Sequence, residues 1–100
     1  MHVRLAPQAR ADLDAIWLYI AEDSGNFDLA TRIVDRIRET FDLLAKFPEL
    51  GRRRDTDIRP GIRSLIVDTY VVLYRIRSRE LQIARVAHGN QDLSGLFPEE

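Results

Sequence analysis

Apolar positions along this chain change period twice, and the changes mark its elements. Val3-Arg4-Leu5 alternates as a short strand and is ended by Ala6-Pro7, because proline disfavours helix for the residue before it and suits the first turn of a helix after it. Ala9, Leu13, Ile16, Trp17 and Ile20 then recur at helical spacing and predict an amphipathic helix from Pro7 to about Glu22, with Arg10, Asp12 and Asp14 off the stripe. Asp23-Ser24-Gly25-Asn26 is a turn cluster in which Asn26 can cap a second helix. Ala30, Ile33, Val34, Ile37, Phe41 and Leu44 repeat the stripe, and Phe47-Pro48 closes it. Helices of similar length joined by so short a turn are predicted to pack as an antiparallel hairpin.

Pro48 to Gly61 breaks the periodicity and reads as a polar connection. After it the period becomes that of strands: Ile62 to Val67, Tyr70 to Arg77 and Leu81 to His88 are rich in β-branched and aromatic residues, with short connections that predict an antiparallel meander. In the middle strand Val71, Leu73, Arg75 and Arg77 share one face, which therefore runs from apolar to cationic. The last strand switches its apolar residues from one side to the other, so a bulge or twist is expected near Ala84-Arg85. The tail from Asn90 to Glu100 is polar, with Leu93, Leu96 and Phe97 as anchors and Asp92 as a cap. A lone sheet of three or four strands must cover its apolar face, and the helical hairpin is the available cover. The expected architecture is α+β in two layers: an N-terminal strand, a helical hairpin and a C-terminal three-strand antiparallel meander. One domain over 1–100 suffices.

Composition narrows the chemistry. One hundred residues without cysteine need no disulfide and offer no thiolate. No apolar run approaches the roughly 20 residues of a membrane span, and the N-terminus lacks a signal-like stretch, so a cytoplasmic location without membrane contact is expected. His2 and His88 are too few for a metal cage, glycines occur singly, and no serine sits in a nucleophile turn; no metal or cofactor is expected.

The net charge of −1 argues against bulk coating of nucleic acid, but its distribution is uneven. Residues 1–50 carry six basic and nine acidic side chains, whereas 52–85 hold nine arginines against Asp55, Asp57, Asp68 and Glu80. Planar guanidinium forks suit carboxylate and phosphate. If Arg63, Arg75, Arg77, Arg85 and His88 converge with the loop arginines, they form a surface for an anionic partner, with His88 as the side chain that exchanges a proton near neutral pH. The plainer reading is a solvated rim of arginines paired with neighbouring acids. Trp17 belongs to the helical stripe and is read as core.

Five segments in order resemble the RelE/ParE superfamily of bacterial type II toxins. They are Leu5-Ala6-Pro7-Gln8-Ala9-Arg10-Ala11-Asp12-Leu13-Asp14-Ala15-Ile16, Phe47-Pro48-Glu49-Leu50-Gly51, Arg59-Pro60-Gly61-Ile62-Arg63, Tyr70-Val71-Val72-Leu73-Tyr74-Arg75 and the ending Arg85-Val86-Ala87-His88-Gly89-Asn90-Gln91-Asp92-Leu93. That ending is most similar to ParE-type toxins. The resemblance implies a toxin encoded beside a ParD-like antitoxin whose flexible segment folds across it, with DNA gyrase as the target. The alternative is a RelE-like, ribosome-dependent mRNA endonuclease, and a third reading is an interaction domain that has lost toxicity. Metal-independent RNA cleavage needs a base, an acid and cations for the phosphate. This chain has one lysine, Lys46, and no tyrosine after Tyr74, leaving Arg85 and His88 as phosphate clamp and acid for the nuclease reading. The resemblance thus favours a gyrase inhibitor, a binding protein and not itself an enzyme. The sheet arginines, His88 and the C-terminal segment are expected to face the target, and the helical hairpin with an exposed strand edge to receive the antitoxin. No antitoxin-contacting residue is assigned.

Overall fold

The computed structural model describes residues 1–97; the end of the expected tail, 98–100, lies outside the described residues. The elements are β1 (His2–Leu5), α1 (Pro7–Ser24), α2 (Phe27–Lys46), β2 (Arg52–Arg53), β3 (Arg63–Val67), β4 (Tyr70–Arg77) and β5 (Glu80–His88), followed by a 3-10 turn at Ser94–Leu96. The α+β expectation holds.

Both helices begin and end where the turn chemistry places them. Pro7 opens α1, with Ala6 extended before it. The helix runs two residues past the expected Glu22, because the Ser24 hydroxyl donates to the Ile20 carbonyl (2.6 Å) and Gly25, at φ 68°, closes the end by donating its N–H to Ala21. Asn26 caps α2 by accepting from the Leu29 N–H at 3.0 Å.

The sheet has five strands in the order β1-β5-β4-β3-β2. β1 lies parallel to β5, and the other pairings are antiparallel. Two expectations are corrected. The sheet is larger than three or four strands, and the polar connection contains β2, whose Arg52 and Arg53 pair with Ser64 and Arg63. Two residues are too few to show an alternating pattern, and exposed arginines suit a strand that ends a sheet. The expected bulge is present: Leu73 faces Arg85 while Tyr74 faces Ile83, so Ala84 is the extra residue. It lets Leu81, Ile83 and Val86 all enter one core despite their odd spacing. Ser78 and Arg79 turn β4 into β5 with positive φ of 53° and 63°, a two-residue hairpin loop.

The main core lies between the helices and one sheet face. Leu13, Ile20, Ile37, Phe41 and Leu44 pack against Val72, Tyr74, Leu81, Ile83 and Val86. Each such large side chain stabilises the fold by roughly 1.5–3 kcal/mol when fully buried. On the opposite face Ile62, Val71 and Leu73 form a second cluster, covered by Ile58, Leu93, Leu96 and Phe97. The tail anchors thus seal the apolar half of the face that runs from apolar to cationic, while Asp92 accepts from the Ser94 hydroxyl at 2.7 Å and fixes the final turn.

Tyr74 ties the connection to the core. Its buried hydroxyl donates to the Pro48 carbonyl (2.8 Å) and accepts from the Gly51 N–H (2.7 Å). A Cβ at position 51 would come within 2.6 Å of the Tyr74 ring and 2.9 Å of the Ser64 carbonyl, so glycine is required there by close approach.

Candidate functional site

The cationic half of the second sheet face leads to a cavity of about 520 Å³ at the N-terminal end of α1. Arg59 from the connection, Arg75 from β4 and Arg85 from β5 line it with Gln82, Leu96 and Phe97. Arg75 donates from Nε to Gln82 Oε1 at 2.7 Å, and the Arg59 guanidinium lies 5.6 Å from the centre of the Phe97 ring.

Arg85 is held most firmly. Its Nε and Nη2 donate to the two carboxylate oxygens of Asp12 at 2.8 and 3.0 Å, and Nη1 lies 3.4 Å from the Leu96 carbonyl. These bonds to Asp12 raise the Arg85 pKa further above its ordinary value. The same carboxylate accepts the Val86 N–H at 2.9 Å, and Gln91 Oε1 accepts the His88 N–H at 2.9 Å. Past Leu5, where β1 ends, side chains therefore close the edge of β5.

The remaining candidates stand apart. His88 lines a different groove, of about 500 Å³, with Asp12, Ile16, Tyr19, Tyr70 and Val86. Its Nδ1 accepts from the Asn90 N–H at 3.2 Å and its ring meets Tyr70 edge-on at 5.6 Å. Burial pushes the Tyr70 hydroxyl pKa up, with Tyr19 adding to it. Arg63 donates to the Gly51 and Glu49 carbonyls at 2.9 and 3.3 Å, fastening the connection to β3. Arg77 is exposed and shares a recess with Arg4, Ser78, Glu80 and Gln82. In the connection Arg53, well exposed, pairs with Asp55 at 2.7 Å, whereas Arg54, whose side chain is mostly buried, pairs with Asp57 at 2.7 Å and donates to the Ser64 hydroxyl. Arg75 and Arg85 thus share a cavity, whereas Arg63, Arg77 and His88 line other surfaces.

Asp12 was hidden by its assignment to the polar side of α1. The signal was present: Ala9, Asp12, Leu13 and Ile16 follow the i, i+3, i+4, i+7 pattern, which puts Asp12 on the flank of the buried stripe. Among the described residues no cluster of three or more His, Cys, Asp or Glu side chains is placed to hold a metal, and no helix is long and apolar enough to cross a membrane.

Residues 3–93 match the family described as "ParE toxin of type II toxin-antitoxin system, parDE". The chain belongs to the ParE toxin family. Among its relatives, Toxin ParE3 of Caulobacter vibrioides is 36% identical over 83 residues, covering 83% of this chain and 81% of the relative. Toxin ParE1 of the same organism is 34% identical over 85 residues, 85% of each chain. A solved structure of the chromosomal ParDE toxin-antitoxin system of P. aeruginosa superposes with a TM-score of 0.77 at 28% identity, covering 88% of this chain and 95% of that one. The RelBE2 toxin-antitoxin complex of Mycobacterium tuberculosis follows at 0.60 and 29%, covering 87% and 95%. This ParE-family chain is a toxin component of a type II toxin-antitoxin system, and the ParE-like reading of the sequence prevails over the RelE-like one.

Proposed function

We propose that this ParE-family toxin acts in the cytoplasm by docking onto DNA gyrase and inhibiting it, and that a ParD-like antitoxin neutralises it. The observation that carries this reading is the separation of Arg85 from His88. Arg85 lines one cavity with its fork turned to Asp12, and His88 lines another groove. RNA cleavage without a metal needs cation, acid and base around one phosphodiester. Docking needs no such convergence. Arg75 and Arg77 on the cationic end of β4 are the proposed target contacts, with Arg63 and Arg85 holding the surrounding backbone and His88 marking the far end of the surface.

The antitoxin is assigned to the helical hairpin and the open edge of β3. Trp17 and Phe27 pack together at the hairpin tip with ring centres 5.5 Å apart, and Phe27 and Tyr19 are each 67% exposed. β2 pairs with Arg63 and Ser64, so among the described residues no strand covers the outer edge of β3 from Leu65 to Val67, where Ile66 is 74% exposed. A flexible segment with apolar anchors can fold as it covers both features. The test is gyrase supercoiling with purified toxin. Inhibition relieved by the product of the neighbouring gene is expected, and no effect at stoichiometric excess overturns the reading. Codon-positioned cleavage of ribosome-bound mRNA, lost on His88→Ala, would instead establish the nuclease.

A further inference from the structure

We propose that the groove between α1 and the end of β5 binds an organic ammonium group, with the nitrogen at the Tyr70 hydroxyl among aromatic rings and the carbon body along α1. The groove, of about 500 Å³, has the size that takes a small molecule or one long side chain. Tyr70 carries the argument. It is only 9% exposed and lines the groove, yet its hydroxyl makes no hydrogen bond among the described residues. Nearly all buried polar atoms are paired, so an unpaired hydroxyl on the wall of a groove marks where a ligand atom can bond. Tyr19, on the same groove, acts electrostatically on that hydroxyl, so a nitrogen that donates to Tyr70 has a second phenol oxygen in its neighbourhood.

Charge and walls select a cation. No Lys or Arg lines the groove among the described residues, and its carboxylate, Asp12, is already engaged by Arg85 and offers no free charge. Glu22 and Asp23 stand three and four positions after Tyr19 and so on its side of α1. Both are exposed, and neither makes an ion pair among the described residues. The last turn of α1 has no basic residue, so the negative end of the helix adds to their field. Tyr70 and His88 meet edge-on at 5.6 Å, and His88 Nδ1 accepts the Asn90 N–H, which keeps that ring neutral. Three neutral rings thus border the space, and their faces attract a cation without a buried counter-ion. Ala15, Ile16 and Val86 add apolar surface for the carbon body. An anion finds no positive group there, and a neutral alcohol gains nothing from the acids. The inference goes beyond the gyrase and antitoxin readings and is tested on the toxin alone, so either can fail without the other.

The experiment is an NMR titration of the full chain at neutral pH with phenethylamine, its neutral counterpart phenethyl alcohol, its anionic counterpart phenylpropionate, and a capped leucine-lysine-leucine peptide. The amine is expected to shift the amide signals of Ala15, Tyr19, Ala87 and His88, with the alcohol weaker and the acid weakest. Tyr70→Phe keeps the ring and should weaken the amine by about threefold to tenfold. Tyr19→Ala should weaken it by about twofold to fivefold. Glu22→Gln with Asp23→Asn should weaken the amine and spare the alcohol, and Leu43→Ala, exposed on α2 outside the groove, should change neither; circular dichroism checks that each variant is folded. Tighter binding of phenethylamine than of the peptide identifies a free amine as the source of the ammonium, and tighter binding of the peptide identifies a lysine side chain of a protein. The proposal is overturned if neither ammonium ligand shifts the groove signals, if the alcohol or the acid binds as tightly as the amine, or if Tyr70→Phe and Tyr19→Ala leave the affinity for the amine unchanged.

Discussion

Asp12 on α1 and Arg85 on β5 are joined by two parallel hydrogen bonds across 73 positions of sequence, and Asp12 also takes the Val86 N–H. Their side chains are only 15% and 26% exposed, so removing one leaves the other's polar atoms poorly solvated. Asp12→Ala is expected to destabilise the fold by about 2–4 kcal/mol. Asp12→Asn keeps an acceptor for Val86 and should cost less. Urea unfolding of both variants, with Arg85→Ala and the double variant completing the cycle, measures the coupling; additive losses would mean that the two residues act independently.

The Tyr74 hydroxyl makes two hydrogen bonds to the Pro48–Gly51 segment. Tyr74→Phe should lower stability by about 1–2 kcal/mol through the lost bonds and the unpaired Gly51 N–H. Gly51→Ala should lower it by about 1–3 kcal/mol or more, because the conflict includes the Ser64 backbone. Thermal unfolding ranks the two.

The Asp55 carboxyl is held below its ordinary pKa, first by the Gly61 N–H and then by Arg53. A carboxyl whose folded pKa is depressed contributes stability that is complete above its unfolded pKa and is lost as pH falls through the folded one. Unfolding free energies at neutral pH should therefore separate the native chain from Asp55→Asn, and the difference should shrink toward zero in strong acid.

Ser78 and Arg79 adopt positive φ, which their side chains disfavour. Replacing them as Ser78→Asn with Arg79→Gly should raise stability by about 0.5–1 kcal/mol, seen as a higher denaturant midpoint at constant slope.

Truncation after Gln91 removes Leu93, Leu96 and Phe97 and uncovers Ile62, Val71 and Leu73. Increased binding of a hydrophobic dye and faster amide exchange along β4 are expected, while α1 and α2 keep their protection on the other face.

Periodicity was enough for the helical hairpin and the meander, since Leu13, Ile37, Val72 and Leu81 repeat at the spacing their elements demand. Even the bulge at Ala84 showed as a change of side. The pairing of β1 with β5 was not legible, because parity along four residues says nothing about a neighbour that arrives some 78 positions later (His2 to Glu80). β2 was too short to carry a pattern. For the candidate site, the arginines were visible but their convergence was not: Arg75 and Arg85 meet because strand register brings them together, and Arg63 is diverted because its fork finds two carbonyls. Side chains that orient others, such as Asp12 and Gln82, look like ordinary surface residues until the fold is known.

The pairing of β1 with β5 also orders events during synthesis. His2–Leu5 is made long before its partner strand, residues 80–88, so the edge of the sheet and the Asp12–Arg85 clasp close only once that later strand has emerged. Contacts of such long sequence separation are slow to form, because a large loop must close before they reward it. Until Glu80–His88 has been made, His2–Leu5 has no partner strand and Asp12 has no Arg85 to hold, so the fold closes late relative to its two helices.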